Sequence, residues 1–119
     1  LSVSDLVICP CAPDISEIIG LRAFNQIIGE ISETAGRKII TKVLMNRSHP
    51  SRKNFGKQLK FFETLQNLEI FTSRLPRRAD YNIAACEGLG VTEHQGTRYS
   101  DASRDVSQLV SEIKLSIPK

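Results

Sequence analysis

Phe71-Thr-Ser-Arg-Leu-Pro-Arg-Arg-Ala-Asp-Tyr81 is the stretch on which the fold turns. An apolar run from Leu68 to Thr72 gives way to a tight basic loop, and a new helix is predicted to begin at about Asp80. That is the signature of a strand, its loop and the helix that follows. In an open α/β sheet, ligands sit at the carboxyl ends of the strands, so Arg74, Arg77 and Arg78 at such an end predict an anionic partner, with phosphate the first candidate.

Working outward, the same unit recurs. Asp5-Leu-Val-Ile-Cys-Pro10 is short, apolar and stopped by proline, as expected of a strand buried on both faces. Asp14 and Glu17, three apart, read as a capping-box-like helix start. Ile15, Ile18, Ile19, Ile27, Ile28 and Ile31 recur at helical spacing, and Gly36 is a natural stop. Lys38 to Met45 predicts a second strand, broken by Asn46-Arg-Ser-His-Pro50. From Ser51 a helix is expected with Phe55, Leu59 and Phe62 on one side and Lys53, Lys57 and Lys60 almost opposite. Beyond the quoted stretch, a short helix should run from about Asp80 to Glu87 and end at Gly88 and Gly90. Val91 to Tyr99 has no period and is expected to be loop with at most a short extended piece. Ser100 or Asp101 starts a last helix whose buried face is Ala102, Val106, Leu109, Val110 and Ile113.

A chain of 119 residues, 40% apolar, fills one modest core. Strand, helix, strand, helix, strand, helix with short connections predicts an α/β fold, with a mostly parallel sheet flanked by helices. Three strands are few for such a sheet, and Leu1 begins almost at once on an apolar run, so the chain is expected to be part of a larger unit. No apolar run approaches the ~20 residues that cross a bilayer. Cys9, Cys11 and Cys86 are an odd number without framework spacing, which predicts a reducing, cytoplasmic setting. Cys9, Cys11, His49 and His94 are too scattered to favour a zinc site over core thiols. His49 and His94 lack flanking acids, and Ser48 and Ser51 lack elbow glycines, so acid-base and triad chemistry are not expected.

The formal charge of +3 hides a division. From Arg37 to Arg78 there are eleven Lys or Arg against Glu63 and Glu69, whereas the rest of the chain holds five basic and eleven acidic residues. Such segregation predicts a basic surface suited to nucleic acid or nucleotide, a solvated surface being the plainer reading.

Three loops, Cys11-Ala-Pro-Asp14, Asn46-Arg-Ser-His-Pro50 and Arg74-Leu-Pro-Arg-Arg78, should open on one edge of the sheet. With Ser4-Asp-Leu-Val-Ile-Cys-Pro10, Val43-Leu-Met-Asn-Arg47, Leu75-Pro-Arg-Arg-Ala-Asp-Tyr81 and the later Gly88 and Gly90, their order resembles the carboxyl-terminal half of the ParA/MinD-type partition ATPases, a deviant branch of the P-loop NTPases. The resemblance covers nearly the whole of residues 1–119 and implies a partial P-loop NTPase-like, Rossmann-like fold. It implies nucleobase contacts from Asn46, Arg47, Pro76, Arg77 and Asp80, and places Pro10 and Asp14 near a nucleotide-dependent dimer interface. The family binds ATP with Mg²⁺, dimerises around it, coats DNA nonspecifically and answers to a ParB-type centromere-binding protein. Lys53, Lys57, Arg74 and Arg78 are the candidates for DNA contact.

The departure is the phosphate machinery. ATP hydrolysis in this family needs a glycine-rich loop with lysines and an aspartate for Mg²⁺. Gly56-Lys57 falls in an expected helix and Gly88-Leu-Gly90 is a lone Gly-x-Gly, so this chain alone is expected to be inactive and not to hold ATP tightly. No residue is assigned a catalytic or metal role, and no membrane partner is expected. Relatives of this signature serve plasmid partition, chromosome segregation and conjugative or T-DNA transfer alike. Two rivals remain: a noncatalytic nucleic-acid-binding α/β module, and a flavodoxin-like or receiver-like interaction domain. Plain structural readings stand beside them, with Arg77, Arg78 and Asp80 pairing at a helix start and Asn46 as a turn residue.

Overall fold

Three runs of apolar and β-branched residues form strands β1 (Val7–Cys11), β2 (Thr41–Ser48) and β3 (Glu69–Pro76) of the computed structural model, which describes residues 3–12, 14–48, 60–61 and 63–117. All pair in parallel, in the order β1-β2-β3. Helices α1 (Ile15–Ala35), α2 (Asp80–Cys86) and α3 (Asp101–Ser116) complete an α/β unit of the partial Rossmann-like kind. Alternate residues of β2 point to opposite faces. Val43 and Met45 pack with Leu21 and Ile28 of α1 and with Leu65 and Leu68, whereas Leu44 joins Phe71 and Leu109 of α3.

Helix α1 begins where Asp14 Oδ1 accepts the Ser16 N–H at 3.2 Å and ends at Gly36, whose φ of 71° suits glycine. Its cap differs from the expected box. Glu17 Oε2 reaches past Asp14 to accept the Ala12 N–H at 2.6 Å, which ties the β1 loop to the first helical turn. Ile19 and Ile27 are exposed, because the core-facing stripe runs through Ile18, Leu21, Phe24 and Ile28. In α3, Ser100 caps Ser103 N, and Ala102 and Leu109 are buried, but Val110 faces outward. Residues 91–99 form successive turns with no extended piece.

Several expected boundaries move. β1 is not buried on both faces: Ile8 is 37% exposed and Pro10 is exposed, since the apolar cluster under α3 reaches only β2 and β3. β2 starts at Thr41 instead of Lys38, because the Ile39 N–H is taken by Ser32 Oγ at 3.2 Å and pairing begins only at Val7↔Thr41. β3 runs on through Arg74, Leu75 and Pro76, so much of the predicted basic loop is strand. The ladder survives because two extra residues bulge out: Val43 and Met45 face Ile70 and Arg74. The Thr72 and Ser73 N–H groups freed there both donate to the Glu112 carboxylate of α3 at 2.8 Å. Pro76 at the strand's last position suits a residue without a donor.

The expected second helix lies mostly outside the described residues; Lys60 and Phe61 are helical, and Phe61 packs on the α1 face. No helix among the described residues is long and apolar enough to cross a membrane. Cys9, Cys11 and Cys86 are free thiols.

Candidate functional site

Parallel strands put all their carboxyl ends on one edge, and two adjoining clefts open there. The larger, about 620 Å³, is lined by Asn46 and Arg47 from the end of β2, Leu75 and Pro76 from the end of β3, Arg77, Arg78 and Ala79 from the following loop, and Tyr81 and Asn82 from α2. The smaller, about 390 Å³, is lined by Ala12, Asp14, Ser16 and Glu17 at the start of α1, with Arg47 and Arg77. Both arginines border both clefts.

Among the described residues the larger cleft combines an apolar wall, two amides and three arginines, with no carboxylate in its lining. Such a mixture suits a flat, polar-edged ring attached to an anionic group. The smaller cleft has the opposite balance on one side, because Asp14 and Glu17 face it.

Arg47 is held in an unusual backbone state. Its φ of 54° lies in the left-handed region, which costs a non-glycine residue about 1–3 kcal/mol and tends to concentrate at functional sites. The strain coincides with the second ladder irregularity, between Asn46 and Ser48, and Asn46 Oδ1 accepts the Arg47 N–H at 3.0 Å. The Arg47 guanidinium lies 3.8 Å from Glu17 Oε1, linking the strand end to α1 across the smaller cleft.

Arg78 is fixed from the other side. Its Nε donates to Asp105 Oδ2 of α3 at 2.8 Å, with 25% and 19% of the two side chains exposed. The hydrogen bond to Asp105 raises the guanidinium pKa against the opposing effect of burial. Tyr81 packs with Ala84, Val91, Ala102 and Val106, and its hydroxyl is buried without a hydrogen-bond partner among the described residues. Burial first, then Asp105, raises its pKa, with Arg78 opposing, so the phenol stays protonated.

Burial pushes the Cys11 thiol up to about 11, with Glu17, Cys9 and Asp14 adding to the effect. A thiol so protonated is a poor nucleophile. His94 is buried away from the rim, its Nε2 2.8 Å from Glu87. Among the described residues no group of three or more His, Cys, Asp or Glu side chains is placed to hold a metal ion.

The residues named from sequence divide accordingly. Asn46, Arg47, Pro76 and Arg77 meet in the larger cleft. Asp80 opens α2 next to it without lining it. Asp14 borders the smaller cleft, whereas Pro10 is exposed on β1 and borders neither. Arg74 is half-buried within β3, in register with Met45, and Arg78 is paired to α3. Lys53 and Lys57 lie outside the described residues. Tyr81, Asn82, Glu17 and Asp105 belong to the site although sequence reasoning gave none of them a site role. Tyr81 and Asn82 follow directly from the helix start at Asp80, but Asp105 is 27 residues from Arg78 and has no local signal.

No family model matches the chain, and no curated protein matches it.

Proposed function

We propose that this chain is the carboxyl-terminal portion of a ParA-like ATPase that partitions DNA, supplying nucleobase contacts, part of a dimer interface and a basic DNA-facing surface. The observation that carries this reading is the meeting of Asn46-Arg47 with Pro76-Arg77 around one cleft of about 620 Å³. Two segments separated in sequence would form half of a nucleotide pocket.

The donor set fits the base of ATP. Asn46 and Arg47 would hold its edge and Pro76 and Arg77 its face, beside an apolar wall. The neighbouring carboxylates Asp14 and Glu17 do not suit triphosphate or supply a metal cage, and the chain has no glycine-rich loop with its lysine. In this reading that machinery, and hydrolysis with it, lies outside this chain. Exposed Pro10 and the Asp14 cap would belong to the nucleotide-dependent dimer contact. Lys53, Lys57 and Arg74, within the basic span from Arg37 to Arg78, would neutralise DNA phosphates, and a ParB-type protein would be the partner. Plasmid, chromosomal and transferred DNA are equally suited as cargo, and the setting would be cytoplasmic.

The test is an NMR titration of the isotope-labelled chain with AMP. Amide shifts clustered on Asn46, Arg47, Arg77 and Tyr81 are expected; no response, or one confined elsewhere, would overturn the reading. The charge segregation favours a second reading, a noncatalytic nucleic-acid-binding module. Salt-dependent duplex binding that is abolished by changing Lys53, Lys57 and Lys60 to Glu, with no AMP response, would select it.

A further inference from the structure

Sequence reasoning puts Arg78 at a DNA surface, yet it lines the larger cleft and is anchored from behind. A guanidinium is a planar fork of donors, so fixing one nitrogen fixes the direction of the others. Here the fixed nitrogen is Nε, bound to Asp105 Oδ2 at 2.8 Å with both side chains largely covered. Among the described residues the Nη groups make no hydrogen bond, and a quarter of the Arg78 side-chain surface stays exposed. Tyr81 beside it has a buried hydroxyl without a partner among those residues. Among the described residues no carboxylate lines the cleft itself; Asp105 takes only the Arg78 Nε from behind, which leaves the Nη edge to a ligand.

We propose that Arg78 contacts the ligand of this cleft, that Asp105 is its positioning residue, and that the group gripped is an acceptor-bearing edge of a heterocyclic base. This rests on the nucleotide reading above and adds to it a residue that belongs to the cleft instead of the DNA face. The arrangement also explains why an ion pair sits at this spot. Asp105 comes from α3, so the helix that covers the sheet also aims the fork.

The experiment measures AMP affinity of the full chain by NMR titration for the wild type, R78K, R78A, D105N and the R78A/D105N pair, with duplex-DNA affinity and melting temperature alongside. R78A should weaken AMP binding roughly tenfold, the scale of one charged hydrogen bond, and leave DNA affinity unchanged. R78K should behave like R78A, because a lysine ammonium cannot reproduce the held fork. D105N should weaken AMP binding several-fold in the wild-type background and not at all when Arg78 is already absent. An unchanged AMP affinity in R78A, a loss confined to DNA binding, or an equal D105N effect in both backgrounds would each overturn the assignment, the last marking Asp105 as plain fold support. Should R78A fail to fold, R78K and D105N decide the same question, with unchanged AMP affinity in both overturning the assignment. A wild-type chain that ignores AMP removes the nucleotide reading and this inference together, whereas wild-type binding with indifferent variants removes only this inference.

Discussion

The two faces of the sheet are held by different physics. Under α1 the centre of the contact is apolar, with Leu21 and Ile28 meeting Val43, Met45, Leu65 and Leu68 and with Ile18, Phe24 and Phe61 alongside, and polar links such as Asn25 to Asn67 lie at its margin. Under α3 the apolar contact is smaller, built on Leu44, Phe71 and Leu109, and two carboxylates add directional bonds. Glu112 binds the bulge in β3, and Asp105 binds Arg78 just beyond the strand's end. Apolar burial is nondirectional and tolerates small shifts, whereas charged hydrogen bonds fix position and angle. The face that bears the β3 loop of the candidate site is therefore the one secured by directional contacts.

The largest effects should come from truncating each apolar centre. Phe71→Ala is expected to cost about 3–5 kcal/mol and Ile28→Ala about 2–5 kcal/mol, read from urea midpoints, since both side chains are fully buried. If the polar bonds alone held the α3 face, Phe71→Ala would cost no more than the loss of Glu112.

Glu112→Gln should come next, at about 1–2 kcal/mol, because an amide offers one acceptor oxygen where the carboxylate offered two. Its pH signature separates the faces. Burial by itself would raise the Glu112 pKa, but the Ser73 and Thr72 N–H groups and Lys42 bring it below the ordinary 4.5. The stabilisation is thus complete above about pH 4.5 and is lost as pH falls through the lower, folded-state value. Melting temperatures of the wild type and Ile28→Ala should drop in parallel over that acid range, and Glu112→Gln should drop less steeply. Parallel behaviour of all three would show that the bulge bonds contribute nothing.

The smallest effects compare two glycines within α1. Gly20→Ala has open space and should gain about 0.5–1 kcal/mol from helix propensity. At Gly29 an added Cβ would lie 2.7 Å from Asn67 Nδ2, the amide that donates to Asn25 O at 3.0 Å. Gly29→Ala should therefore fall below Gly20→Ala by about 1 kcal/mol in the same melting assay. Equal gains would mean that this polar link on the apolar face carries no stability.

Local chemistry makes much of this legible. Asp14, Gly36, Ser100 and Gly88 mark helix ends through hydrogen bonds and backbone conformations that depend on a few neighbouring residues. Strand order and parallel pairing follow from short crossovers, which is why Asn46-Arg47 and Pro76-Arg77 can be expected on one rim. What escapes is nonlocal. A proline among three arginines looks like loop, and only β2 alongside shows that the β3 ladder continues to Pro76. Ile19 and Ile27 look like core until the helix is docked and its stripe is seen to run through Leu21 and Ile28.

By itself the sequence determined the alternation of strands and helices, the charge division and the identity of the residues at the strand ends, since these depend on periodicity, capping and composition. Only the tertiary structure decided what those residues do to one another: Arg78 turned toward Asp105, Arg47 strained beside Glu17, and Tyr81 packed with Ala102 and Val106. Each of those joins segments far apart along the chain, and a pairing between distant residues is fixed by how faces dock, which no local pattern encodes.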